Sequence, residues 1–277
     1  MSNIYLPHIV KIEDIYRETP DVRSFRLVFQ DKKVRESFEF RTGQFGLYSA
    51  FGYGESTFCI SSPSTRKGYI QCTFRATGRV TNALAQLNVG DTIGFRGPYG
   101  NWFPVDEWKG KNIVFIAGGI GLPPVRSVIW TCLDRREDYR DITIVYGART
   151  VEDLVYKNEL EHWDERDDVY LVQTVDPGGE NADWKGRVGF VPTVLEETAP
   201  KPENTVCVVC GPPIMIKFTL QALENLGFSD EDVYTTLENK MKCGVGKCGR
   251  CNVGDVYICK EGPVYTAREV KRMYNDF

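Results

Sequence analysis

Four cysteines near the C-terminus constrain this chain more than any other feature. Cys243, Cys248, Cys251 and Cys259 follow the spacing C-x4-C-x2-C-x7-C, while Cys59, Cys72, Cys132, Cys207 and Cys210 are scattered. The residues around the cluster are rich in Cys, Gly and Lys and leave little room for a core of their own. A metal centre supplies the stabilisation that such a segment lacks. Four thiolates are the usual ligands of a [2Fe–2S] cluster, and x4 followed by x2 with a distant fourth cysteine is the plant-type spacing. Gly244, Gly246 and Gly249 let backbone N–H groups turn toward the sulfur atoms, and Lys247 and Arg250 add positive charge. Structural zinc is the other reading of four cysteines. It usually comes with two C-x2-C hairpins, and only Cys248–Cys251 has that spacing.

Composition narrows the function classes. The 277 residues are 42% hydrophobic and 26% charged, the balance of a soluble globular protein. A net charge of −4 argues against nucleic acid as a main partner, since phosphate binding needs a basic footprint. No apolar run approaches the ~20 residues of a membrane helix, and Met1 to Lys11 lacks a signal-peptide layout. A cytoplasmic protein with reduced thiols and no membrane span is expected.

Hydrophobic rhythm divides the chain into three: 1–105, a β-barrel; 106–236, an α/β domain; and 237–277, the cluster module. The first region reads as short strands at His8–Ile15, Val22–Phe29, Gln44–Ser49, Thr57–Ser61, Tyr69–Phe74 and Thr92–Arg96, with one helix at Thr81–Leu87. From Lys111 strands alternate with helices. Strands are expected at Asn112–Ala117, Ile142–Tyr146, Val169–Thr174 and Thr205–Cys210. Helices are expected at Val125–Arg135, Val151–His162, Val188–Glu197 and Pro213–Leu226. That alternation predicts a doubly wound parallel sheet.

Gly118, Gly119, Gly121, Pro123 and Pro124 form a Gly-Gly-x-Gly-x-Pro-Pro turn between a strand and a helix. Bare N–H groups at such a helix start suit a pyrophosphate. Taken alone the turn is a weak signal, since glycines also simply tighten strand–helix joints. Cys210, Gly211 and Pro212 end a later strand of the same sheet, so both motifs point to the carboxyl ends of strands. A small thiol at Cys210 suits the face of a nicotinamide; a buried core cysteine is the plainer reading.

Together these features resemble the ferredoxin–NADP reductase superfamily, over nearly the whole chain. The most similar subgroup includes the gamma subunits of cytoplasmic nickel–iron hydrogenases (sulfhydrogenases), the corresponding subunit of anaerobic sulfite reductase and the electron-transfer subunit of dihydroorotate dehydrogenase. The resemblance implies FAD on the barrel, with Ser56, Thr57, Phe58 and Cys59 as the flavin strand. Phe58 is then expected against the isoalloxazine, and Cys59 near the flavin N5. It implies that Gly78, Arg79, Val80 and Thr81 hold the flavin pyrophosphate, and that Gly118–Pro124 with Cys210–Pro212 hold NAD(P)H. The family's phosphate-gripping Arg is replaced by Ser56, with Arg75 or Arg79 as substitutes. The seven-residue gap to Cys259 is closer to the hydrogenase and sulfite reductase subunits.

The expected function is electron transfer between NAD(P)H, bound FAD and a [2Fe–2S] cluster, with Cys210 and Cys59 beside the reacting atoms. The expected partner is a catalytic subunit with its own metal centres, of hydrogenase or sulfite reductase type, with or without a further iron–sulfur subunit. A stand-alone reductase of a diffusing carrier and a non-catalytic scaffold are the competing classes. His8 and His162 read as surface or structural, and the five tryptophans as packing. Arg149 stands where a ribose 2′-phosphate is read in such sheets, and is equally readable as a surface charge, so it does not choose between NAD and NADP.

Overall fold

The structure is a computed structural model that describes residues 3–273. The chain divides into two compact units. One holds the residues up to Phe103, the segment Arg126–Thr131 and Leu237–Val264; the other holds Pro104–Val125, Cys132–Thr236 and the residues from Tyr265 on. The expected 237–277 module is thus shared out between the two.

In the first unit the strands are β1 (His8–Arg17), β2 (Val22–Phe29), β3 (Phe45–Ala50), β4 (Gly54–Cys59), β5 (Ile70–Arg75) and β6 (Thr92–Tyr99). They form one barrel-like antiparallel sheet in the order β4-β3-β6-β1-β2-β5. The alternation in β2 turns Phe25, Leu27 and Phe29 inward, where Phe25 meets Phe74 edge-on at 5.0 Å. Tyr48, Phe95 and Ile93 complete this core.

Two short helices interrupt the strands: α1 (Lys32–Ser37) and α2 (Arg79–Ala85). The sequence reading lacks α1. Asp31 caps it by accepting from the N–H groups of Lys33 and Val34 at 2.8 and 3.2 Å. It has no fully buried residue, so no apolar period marks it.

From Asn112 on, β7 (Asn112–Gly118), α3 (Leu122–Asp134), β8 (Ile142–Ala148), α4 (Lys157–Asp164), β9 (Tyr170–Val175), β10 (Arg187–Val188), α5 (Val191–Thr198), β11 (Thr205–Cys210), α6 (Pro213–Asn225) and β12 (Val233–Thr236) alternate. Beyond them lie β13 (Asn252–Val253), β14 (Val256–Tyr257), α7 (Ile258–Glu261), β15 (Val264–Thr266) and α8 (Ala267–Met273). The seven-stranded sheet runs β10-β9-β8-β7-β11-β12-β15, parallel from β10 to β12. All six residues of β11 are buried, as are Ile113–Gly118 of β7, which is what sheets covered on both faces require.

Two helices start later than expected. Val151–Tyr156 winds as turns and bends, with Tyr156 left-handed at φ 57° ahead of α4. Val188 ends β10, and α5 opens at Val191 with Pro192 in its first turn, a position that needs no N–H. Among the described residues no helix is long and apolar enough to cross a membrane.

Candidate functional site

The strand expected to face a flavin is β4, at one end of the first sheet. Glu55 to Cys59 are all half-buried, so this strand keeps an uncovered face. Ser56 pairs with Tyr48, and Phe58 with Gly46. The Phe58 ring stacks on Phe74 at 5.4 Å and meets Tyr48 at 5.4 Å, which commits it to the barrel core. Thr57 and Cys59 alternate with it on the opposite face of the pleat. The Thr57 and Ser61 hydroxyls are buried without a hydrogen-bond partner. Orphaned buried hydroxyls call for a missing polar group, and a flavin edge lying on β4 supplies one. The residues present therefore fit a flavin.

Gly78 caps α2, whose first residues are Arg79, Val80 and Thr81. The Thr81 hydroxyl accepts from the N–H groups of Thr77 and Gly78 at 3.0 and 2.8 Å and fixes this turn. Of the two substitutes for the absent arginine, Arg75 is ion-paired to Asp21 at 3.2 Å. Arg79 instead bends toward the turn that opens β4, donating to the Gly52 carbonyl at 3.3 Å.

The nucleotide motifs meet because β7 and β11 are neighbours, with Ala117 opposite Cys210. Gly118 ends β7, Gly119 and Gly121 follow it directly, and α3 opens at Leu122 with Pro123 in its first turn. A Cβ on Gly121 would lie 2.4 Å from the Cys210 carbonyl oxygen, so only glycine lets these two strand ends touch. Gly211 and Pro212 lead into α6. The Tyr146 hydroxyl donates to the Gly119 carbonyl at 3.2 Å and accepts from the Val155 N–H at 3.1 Å, which braces the turn. Cys210 is buried, with its thiol 3.0 Å from the Thr236 hydroxyl. Arg149 pairs with Asp153 at 3.2 Å.

In the cluster loop Cys243 interacts with Cys248, and Cys259 with both Cys251 and Cys243, so the four expected ligands lie within reach of one another. No three His, Cys, Asp or Glu side chains among the described residues close around a single-ion position. Backbone N–H groups surround the sulfurs. Gly246 donates to Cys259 at 3.1 Å, and Lys247 and Val245 donate to Cys243 at 3.3 and 3.5 Å. Gly246 achieves this with φ 69°, a left-handed angle that a side chain would strain. Burial pushes the Cys243 thiol up, but the N–H donors of Val245, Lys247 and Cys248 bring it down to about 6. Burial and the bond to Cys251 push Cys259 up to about 12. N–H donors around thiolates suit an anionic iron–sulfur centre.

Three residues escaped the sequence reading. Arg126, buried, donates to the Ser61 carbonyl at 2.6 Å and to Gln71 of β5 at 3.1 Å. Thr236 holds Cys210. Arg96 is buried among carbonyls of the cluster loop. Only pairing across distant segments reveals them. His8 packs edge-on against Phe29, and Trp108 and Trp163 are buried.

Three known domains match successive stretches of the chain. The Oxidoreductase FAD-binding domain matches residues 9–103, and the Oxidoreductase NAD-binding domain matches 115–221. The Iron-sulfur cluster binding domain of dihydroorotate dehydrogenase B matches 238–271. The gamma subunit of sulfhydrogenase 1 from Pyrococcus furiosus is 40% identical over 248 residues, covering 90% of this chain and 85% of that protein. The chain belongs to the ferredoxin–NADP reductase superfamily. A probable dihydroorotate dehydrogenase B (NAD(+)) electron transfer subunit from the same organism is 32% identical over 240 residues, 87% of this chain and 82% of that one. A chain of NADH-dependent reduced ferredoxin–NADP oxidoreductase has the same fold, with a TM-score of 0.75 at 22% identity over 99% of this chain and 95% of that one. Like its superfamily relatives, the chain is an oxidoreductase with FAD-binding, NAD-binding and iron–sulfur domains.

Proposed function

We propose that this chain is the electron-transfer subunit of a hydrogenase-type complex, working between NAD(P)H, FAD and one [2Fe–2S] cluster. The observation that carries this reading is the ring of backbone N–H groups directed at the Cys243 and Cys259 sulfurs, in a loop that belongs to the same compact unit as the flavin strand. Four thiolates, with N–H groups donating to their sulfurs, suit a four-cysteine [2Fe–2S] centre. The similarity to the sulfhydrogenase gamma subunit, across all three domains, supports the choice of partner.

When bound, the flavin takes up a hydride's two electrons and the cluster carries them singly. The chain's own part is to bind and orient. Backbone N–H groups of the Gly118–Gly121 turn receive the nucleotide pyrophosphate. Gly78, Arg79 and Thr81 hold the flavin phosphates, with the Arg79 guanidinium in place of the missing arginine. Thr57 and Cys59 meet the flavin edge from β4. The Thr236 hydroxyl holds the Cys210 thiol in one position beside the nicotinamide site. No side chain serves as acid or base, because a hydride leaves without a separate proton. Cys243, Cys248, Cys251 and Cys259 ligate the irons.

The test is to purify the chain anaerobically, assay flavin, iron and sulfide, and add NADH or NADPH. Flavin, two irons and two sulfides per chain, bleached by a nucleotide, are expected. A colourless chain that binds zinc after reconstitution would overturn the reading. A second reading, a subunit of dihydroorotate dehydrogenase, is favoured by the domain matched at 238–271. Co-purification with a dihydroorotate-oxidising subunit rather than a hydrogenase would select it.

A further inference from the structure

Arg96 lies in β6 with only 4% of its side chain exposed, yet it binds four separate parts of the chain. Its guanidinium grips both carboxylate oxygens of Glu55, at 2.9 and 2.7 Å. It also donates to the carbonyls of Cys243 at 3.3 Å and Lys242 at 3.5 Å, to the Tyr99 hydroxyl at 3.3 Å and to the Ile4 carbonyl at 3.5 Å. Glu55 stands in β4, next to Ser56 of the flavin strand. Cys243 is the first ligand of the cluster loop. One side chain therefore ties the flavin strand to the cluster loop, within one compact unit.

Stability alone does not account for this pair. Desolvating two charges cancels much of their attraction, and apolar side chains of the same size often serve the fold as well. What an arginine adds is a rigid fork of five donors, which fixes the register of every acceptor it reaches. Gly244 is locked by the same packing: a Cβ there would come within 2.8 Å of Leu47 and 2.9 Å of Tyr99. The fork also leaves a fixed cation at the edge of an anionic centre, and outer hydrogen bonds and charge are levers on cluster potential.

We propose that Arg96, braced by Glu55, is a positioning residue for electron passage from flavin to cluster: it holds the cluster loop at a set distance from the flavin strand and raises the cluster's reduction potential. The proposal rests on the electron-transfer reading above. The first electron from the reduced flavin reduces the cluster by one, and the second follows once the cluster has passed its electron to the acceptor subunit named in that reading.

The test compares the full chain with Arg96→Met and Arg96→Lys, each first assayed for bound flavin and iron. Three readouts follow: the cluster potential from an EPR-monitored titration, flavin bleaching by nucleotide, and subsequent cluster reduction by stopped flow. In Arg96→Met, bleaching should stay within about twofold of wild type while cluster reduction slows by about 10- to 100-fold. The potential should move negative. Arg96→Lys should restore the potential, through its charge, but not the rate, since it lacks the fork. Wild-type potential and rate in an Arg96→Met protein that holds both groups would overturn the proposal. Should Arg96→Met not fold, Glu55→Gln decides: it keeps the shape, removes the brace and leaves the Arg96 charge less neutralised, so cluster reduction should slow while the potential moves positive, and wild-type rate and potential would overturn the proposal. If the wild-type chain holds neither flavin nor cluster, the electron-transfer reading falls first and this inference with it.

Discussion

The Gly118–Gly121 turn and the cysteine loop are both built on glycines, but they rest on different supports. The turn at Gly118–Gly121 is the end of a buried strand, locked between β11 and α3, and Tyr146 braces it from below. Its shape comes from packed core. The cluster loop has two two-residue strands, one four-residue helix and few buried side chains besides Cys243, Cys251, Ile258 and Cys259. Its shape rests on N–H···S bonds, on Gly244 packed against the barrel and on the Arg96 fork. A site on a sheet end can be complete without its ligand, whereas a site on a loop needs ligand and anchor to hold its geometry.

The comparison breaks most visibly at Cys251. Cys251→Ser should lose the iron and abolish nucleotide-driven reduction of any acceptor beyond the flavin. Hydrogen exchange should rise across 238–262 but stay unchanged in β7 and β11. Equal loosening of both regions would erase the distinction between them.

Next in size is Gly121→Ala. Its methyl group meets backbone at Cys210, which has nowhere to go, so a stability loss of about 1–3 kcal/mol and a clear rise in nucleotide Kd are expected. Gly118→Ala should cost less, because its methyl meets the flexible Met215 thioether instead. Denaturant melts and nucleotide titration of the two variants rank them; the reverse order would mean that α6, not β11, sets the turn.

A smaller effect is expected at Thr236→Val. Losing the hydroxyl partner of Cys210 should cost about 1 kcal/mol of stability. It should slow flavin bleaching in a single turnover while leaving the cluster potential unchanged. A shift in that potential would show that the two regions are not independent.

The smallest effect marks the sheet's surface. Bonds from Arg166 hold the Asp168 carboxyl below its usual range, with desolvation opposing them. Because the folded-state pKa is depressed, the contribution is complete above the ordinary aspartate pKa of about 3.9 and fades as pH falls through the folded value. Asp168→Asn should therefore lower Tm slightly at neutral pH, by no more than about 1 kcal/mol in stability, and not at all in strong acid.

The two regions also differed in how far they could be read in advance. In the sheet, the apolar runs Asn112–Ala117 and Thr205–Cys210 and the glycines between strand and helix were legible, because a buried parallel strand has to be apolar along its length. Local chemistry settled less. Tyr156 takes a left-handed angle that no residue rule foretells, and α4 starts after it; α1 has a cap but no buried face.

By itself, the sequence determined the class of fold and the identity of the four cysteines. Periodicity and ligand spacing are local, and local patterns survive in a linear string. Tertiary structure alone decided that backbone N–H groups turn onto Cys243 and Cys259, that Thr236 faces Cys210, and that Arg79 rather than Arg75 reaches the turn before β4. It also decided that Arg96, far from Glu55 and Cys243 along the chain, binds both. The reason is physical: a buried charge is tolerated only where acceptors from several segments converge on it, and that convergence exists only once the chain has folded.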